Sequence, residues 1–496
     1  EYHATDDVFF RLAYDSTVDD SNAKGGHRLV PSLVTGQLPY EDVYDSDISL
    51  PVFNSVETSG ISFTADWNLT DTLSIKSVTA ARDGDTYTNI DFDNTASKSV
   101  DVPATFSDEQ FTQELQLTYV GNSVTAVGGL YYYTGEACGL FDLQIFGGAI
   151  TQELTGCTDT ESYAVYGQGS IDLSAQWSMT LGGRYTEDTK KADYSNYLYL
   201  AEVYPGNITT PGIIDPDLGV VLNGSEFVAE ETWSHFSPRI GVEYQASDDV
   251  MVYASYANGY KSGGYNPRAN LLNDPTASDP FNPETVDTYE IGFKSEPTDN
   301  LRINATYFFS SYDDMQVTVQ KAVPGGFTAA VLNAGQAEIS GIEFETIYVA
   351  TDDLTLNLGV GYLDSEIIEF IDEGVDVADE RDIPSTPNWS VNLGANYTIV
   401  ADIGDFVFTA NASYRGETQI ELFASPTDEE AYTIINAGVS FYHADGNWSA
   451  SLQAKNITDE QIRVAGYSLP ALLGEDVIIG YYNDPSTISL TVKYEY

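Results

Sequence analysis

The sequence predicts an all-β chain, a transmembrane antiparallel β-barrel, on three observations. Apolar side chains alternate with small polar ones along nearly the whole chain. The connections between these runs are short at one end and long at the other. No helical period appears, so no second set of elements can cover the apolar face.

The elements follow in order, the first spanning residues 8–15. Tyr163, Val165, Ile171 and Leu173 alternate with Ser162, Gln168, Ser170 and Asp172, and a tight turn leads to Trp177, Met179, Leu181 and Tyr185. In 288–309, Tyr289, Ile291 and Phe293 precede a polar turn, after which Leu301, Ile303, Ala305, Tyr307 and Phe309 resume the pattern. Such a pair reads as an antiparallel hairpin. Leu354 to Tyr362 and Trp448 to Ala454 repeat it, and the chain ends on Ile488, Leu490, Val492, Tyr494 and Tyr496. The count comes to about 18 strands, with an outgoing first strand and a returning last one. Short connections fall at 68–72, 121–123, 174–176, 247–249, 297–300, 350–353, 400–404 and 443–447. Long ones fall at 16–56, 87–108, 188–230, 260–283, 313–335, 366–386 and 460–484. Loop lengths segregated in this way describe periplasmic turns and extracellular loops. The apolar face then meets lipid and the polar face lines a wet lumen. Trp67, Trp177, Trp389 and Trp448, near strand ends, suit the aromatic girdles.

Composition narrows the partners. A formal charge of −56, with Lys+Arg 20 against Asp+Glu 76, leaves nothing to neutralise phosphates, so nucleic acid is not an expected partner. The acidity reads as a solvated surface. No run approaches the ~18 apolar residues of a membrane helix, which excludes a helical membrane protein and leaves the barrel. Cys138 and Cys157 flank a Gly-rich segment; one pair across a loop reads as a disulfide in an oxidising compartment, and nothing nearby has metal-ligand spacing. The four histidines, His3, His27, His235 and His443, are scattered, and no catalytic arrangement is expected.

Several stretches resemble the TonB-dependent outer-membrane receptors of Gram-negative bacteria. They are QELQLTY with VGGLYYY (113–133), YASYANGYKSGGYNPR (253–268), NPETVDTYEIGFKSE (282–296), NAGQAEISGIEFE (333–345), IPSTPNWSVNLGANY (383–397) and SLQAKNITDEQIR (451–463). These cover most of the chain from about Glu57 onward, in the family's order. The resemblance implies a barrel of 22 strands, so that this chain would be its later part, lacking the N-terminal plug and about four leading strands. It implies partners in outer-membrane lipid and lipopolysaccharide, the TonB complex acting through the missing part, and a barrel-assembly machinery reading a C-terminal signal at Tyr496. It also implies energised uptake of a scarce large solute, most commonly a ferric siderophore, with haem, cobalamin and oligosaccharides as other classes.

In this family ligand contacts come from loop tips and the upper lumen wall. Tyr260, Lys261, Tyr265 and Arg268 put two cations and two rings at one loop base in a chain with few cations, where they could pair an anionic ligand. The same segment reads structurally as a turn shaped by Gly263, Gly264 and Pro267, with its cations paired to carboxylates. Tyr194, Tyr197, Tyr199 and Tyr204, in SNYLYLAEVYPG, could stack on a sugar or an aromatic chelate or cap the membrane interface. No cofactor is expected. The acidic run 371–382 has oxygens enough for Ca²⁺, but its spacing matches no calcium loop. Two other functions fit the alternation. A complete 18-stranded passive porin would fold one loop into its lumen, and an adhesion barrel would present loops 16–56 and 188–230 as an ordered platform.

Overall fold

A computed structural model describes all residues except 201–219, 273–274, 324–325, 334, 373, 473 and 496. Tyr496, the expected assembly signal, and Tyr204 lie outside the described residues.

Nineteen strands form one sheet, from Tyr2–Thr5 to Thr487–Tyr494. Each pairs antiparallel with the strand before it and the strand after it, so the sheet is an up-and-down meander. The two terminal strands, Tyr2–Thr5 and Thr487–Tyr494, are its edges; among the described residues no ladder joins them. The count exceeds the expected 18 by the four-residue strand Tyr2–Thr5, which the alternation could not show over so few positions. It pairs with the start of Val8–Asp19 across an Asp6-Asp7 turn.

Six of the short turns share one chemistry. Asp6-Asp7, Asp71-Thr72, Asp248-Asp249, Asp299-Asn300, Asp352-Asp353 and Asp402-Ile403 each join two strands through two residues. Short carboxylate and amide side chains tolerate such bends and bond the local backbone. Beside five of these turns the register shifts by a bulge, at His3/Thr5, Asn68/Thr70, Gln245/Ser247, Ser295/Thr298 and Val349/Thr351. The bulges fit a tight turn to twisted strands without moving the alternation above them.

Above these turns one face of consecutive strands carries large exposed apolar groups. Leu12 and Tyr14 are 65% and 70% exposed, and Ile61, Phe63, Leu130, Tyr163, Val165, Leu181, Tyr185, Ile291 and Leu393 continue the band. A water-soluble monomer rarely leaves so continuous a band uncovered. It is the outer wall of a membrane barrel.

At the other end the strands outrun any membrane. Val220–Ser247 has 28 residues and Trp177–Leu200 has 24, against about 9–11 for a bilayer crossing. Much of the expected loop 188–230 is therefore strand: Lys190 faces Glu231 and Tyr199 faces Val221 in one ladder. Likewise Cys138 and Cys157 lie inside Val124–Ile145 and Ile150–Asp172 rather than flanking a loop. Apolar alternation stops where lipid stops, but a hairpin ladder needs only backbone partners and continues.

Candidate functional site at the mouth

The long connections fold back over the sheet. Arg463–Leu472 and Glu475–Tyr482 form a hairpin, and His27–Arg28 adds a third strand to it. The hairpin buries Leu469, Leu472, Val477 and Ile479 against Val100, Val102, Ala104 and Leu143. These four lie on the strand face opposite to that exposing Leu115, Leu117 and Leu130, which places the hairpin on the lumen side. A second hairpin, Gln316–Val323 with Gly326–Asn333, touches Arg463–Leu472. It is held over Phe370, Ile367, Leu422 and Ala378 through Met315 and Val319. Loops from distant parts of the sheet thus meet across the mouth.

Polar clamps fix this roof. The guanidinium of Arg28 donates to Glu475 Oε1 at 2.8 Å, with both side chains buried. Ser32 Oγ also donates to Oε1, and the Leu33 and Val34 amides donate to Oε2. On the other strand Arg463 Nε donates to Glu429 at 2.9 Å, and the amide and hydroxyl of Ser468 donate to Glu421. Sequence reasoning missed Arg28, Glu421, Glu429, Arg463 and Glu475. The available signal was the β-branched and aromatic run of GEDVIIGYY (474–482), which marks a strand inside a stretch read as loop.

The residues singled out from the sequence separate. Tyr265 is buried at 7% exposure among Ala192, Tyr194, Phe227 and Trp233, so its ring packs the base of the loop. Gly263 is required there, because a Cβ would lie 2.4 Å from the Phe281 carbonyl and 2.6 Å from the Trp233 ring. Tyr260 stacks on His235 with centroids 4.7 Å apart, its hydroxyl buried and unpartnered. Burial, with Asp188 nearby, raises its pKa above the usual tyrosine value. Lys190 Nζ donates to the Gly263 carbonyl at 2.8 Å; burial lowers its pKa, Asp188 opposes this, and neighbouring Lys261 adds to it. Lys261 and Arg268 are exposed. The structure thus gathers Lys190 and Lys261 at one loop base, with Arg268 on the turn that follows.

Tyr197 donates to Glu226 and lies 6.0 Å from the Tyr199 ring. Tyr199 is buried and bonds Glu153; burial and that carboxylate push it up to about 12. The Cys138 and Cys157 sulfurs are 2.05 Å apart. Glu136 lies beside them, but bonded sulfurs offer no thiolate to a metal. In the acidic run 371–382, Asp376 Oδ1 accepts from the Phe370 and Ala378 amides.

A band of buried carboxylates crosses the strand extensions above the membrane. Asp91 opposes Asp101, and Asp142 opposes Glu153. Burial is the first cause of a raised pKa in all four, carrying Asp101 to about 6 and Asp142 to about 8. The Ser49 hydroxyl bonds Asp101 and partly offsets the effect. The folded state therefore holds a proton on Asp101 where the unfolded chain, at 3.8, has lost it. That contribution to stability is complete below 3.8 and lost as pH rises through about 6. Protection of the amides around Ser49, each exchange rate being divided by its intrinsic rate at the same pH, is expected to be greater at pH 4.5 than at 7.5, and Asp101→Asn to flatten the difference. Equal protection factors at both pH values in the native chain would sink this assignment.

Comparison with known proteins agrees with the architecture. Residues 2–457 match the family model described as TonB dependent receptor-like, beta-barrel. The probable TonB-dependent siderophore receptor PiuA of Acinetobacter baumannii is 21% identical over 322 residues, covering 62% of this chain and 38% of that protein. The pesticin receptor of Yersinia enterocolitica is 28% identical over 193 residues, covering 38% and 24%. The chain thus spans well under half the length of these curated relatives. Among solved structures, the ferric yersiniabactin uptake receptor FyuA from Yersinia pestis superposes with TM-score 0.77 at 18% identity, covering 99% of this chain and 68% of that one. The siderophore receptor PiuA from Acinetobacter baumannii gives 0.72 at 15%, covering 99% and 72%. The uncovered apolar band, the short-turn and long-loop ends and the matched family model together make this chain a member of the TonB-dependent receptor β-barrel family, of the Gram-negative outer membrane.

Proposed function

We propose that the protein takes up a ferric siderophore, or a solute of similar size, across the outer membrane with energy delivered through TonB. The observation that carries this reading is that the family's relatives are named as siderophore receptors. Two features of the mouth support it. The buried ion pairs give the roof of the mouth a fixed shape, which suits selective uptake better than a general pore. Lys190, Lys261 and Arg268 supply local positive charge in a chain of net −56, as a negatively charged ferric chelate requires. In this reading a plug domain and the TonB contact lie N-terminal to Glu1, and lipopolysaccharide and the barrel-assembly machinery are further partners. The family consists of receptors and transporters rather than enzymes.

The test is radioiron uptake from supplied siderophores in iron-starved cells of the native host, with and without the full-length gene. Deletion is expected to abolish uptake of at least one ferric siderophore, and a protonophore to abolish it in the complemented strain. Lys261→Glu with Arg268→Glu is expected to raise the half-saturating concentration about tenfold or more, as for about 1.4 kcal/mol or more of lost binding. Uptake that survives deletion, or that ignores the protonophore, would overturn the proposal.

A further inference from the structure

The carboxylate band contains a pair that the fold leaves uncompensated. Asp142 and Glu153 oppose each other in the ladder between Val124–Ile145 and Ile150–Asp172, and the next pair on the same face is Gln144 with Thr151. Directly opposed side chains share a face with Cβ atoms about 5 Å apart, so these four form one compact block. Asp142 is wholly buried, Thr151 is 1% exposed and Glu153 8%. Three oxygens in the block have no partner: Asp142 Oδ1, Glu153 Oε2 and Thr151 Oγ1. Gln144 Nε2 reaches Asp142 Oδ2 only at 3.5 Å, and Tyr199 bonds Glu153. Among the described residues no lysine or arginine pairs with either acid, and residues 201–219 contain no Lys, Arg or His.

Two buried carboxyls side by side, each with an unused oxygen, cannot both ionise cheaply unless a cation joins them. The unused hydroxyl of Thr151 is an independent sign, because a buried hydroxyl in a strand ordinarily finds a partner. We propose that Asp142, Glu153 and Thr151 bind one hard divalent cation, Ca²⁺ by its ligand chemistry. All three offer oxygen, and two acids with a neutral hydroxyl suit the larger ion, which accepts irregular oxygen shells where Mg²⁺ demands a near-ideal octahedron. The ion ties two adjacent strand extensions together above the membrane, beside the Tyr197–Tyr199 face. This site is separate from the acidic run 371–382, whose Asp376 carboxylate is engaged by backbone amides.

The experiment measures Ca²⁺ retained by the purified chain in detergent after equilibrium dialysis against micromolar Ca²⁺, and Tb³⁺ luminescence as a second probe. Folding is checked by the gel shift on heating that folded barrels show. One equivalent of Ca²⁺ is expected in the native chain and none in Asp142→Asn with Glu153→Gln, while Asp159→Asn, an exposed acid nearby, retains it. Should the double variant fail to fold, Thr151→Val keeps both charges and is expected to weaken Ca²⁺ binding about tenfold by removing one ligand. No stoichiometric Ca²⁺ in the native chain overturns the site and leaves the pair sharing a proton or water. Equal binding in the native chain and in a folded variant overturns it as well.

Discussion

Glu475→Ala is expected to release the roof of the mouth. It leaves the Arg28 guanidinium buried without a carboxylate and takes the acceptor from Ser32 and the amides of Leu33 and Val34. Breaking a buried pair on one side costs about 3–5 kcal/mol, because the remaining charge stays out of water. The loss should be local. Amide exchange is expected to quicken throughout 463–482 and 27–34, with little change near the short turns, where the strand ladder carries the stability. Removing both charges as Arg28→Met with Glu475→Leu should recover part of the loss, since an apolar pair of similar volume carries no buried charge. Exchange in Glu475→Ala that matches the native chain would show that the apolar contacts of Leu469, Leu472, Val477 and Ile479 hold the hairpin alone.

The second large effect is expected at Phe370. Its ring is fully buried among Met315, Val319, Ile367, Ala378 and Leu422, where three long connections meet. Phe370→Ala removes the shared filler, at about 3–5 kcal/mol for a buried ring left as a cavity. Ile371, the next residue, is 48% exposed, and Ile371→Ala should stay within about 0.5 kcal/mol. Thermolysin cleavage in 316–333 and 366–386 compares the two variants. Similar cleavage rates would mean that the hairpin Gln316–Val323 with Gly326–Asn333 does not depend on this cluster.

These two positions mark where sequence reading stops. The strand Glu284–Thr298 and its partner Leu301–Asp313 were legible because lipid imposes a strict rule: every outward residue must be apolar, and the register cannot slip. The short turns from Asp71-Thr72 onward were legible for a similar reason, since two-residue connections admit few side chains. Above the membrane that rule lapses. Lys190 sits in a continuous ladder, yet its neighbours from Glu187 to Lys191 are polar on both faces. Tyr265 looked like a ligand contact because its segment is rich in rings and cations; whether a ring faces a cavity or a core depends on what packs above it, here Trp233 and Phe227.

The sequence by itself determined the all-β class, the alternation of the wall, the sidedness of short turns and long loops and the family resemblance. Each is a property of residues near one another in the chain, or of their contact with lipid. Only the tertiary structure decided that the last long connection is a hairpin fastened to the first, Arg28 and Glu475 being 447 positions apart in the chain. It alone left one oxygen each of Asp142, Glu153 and Thr151 buried without a partner. Contacts between loops obey no period, because each forms from whatever the other loops present once the wall has set their places.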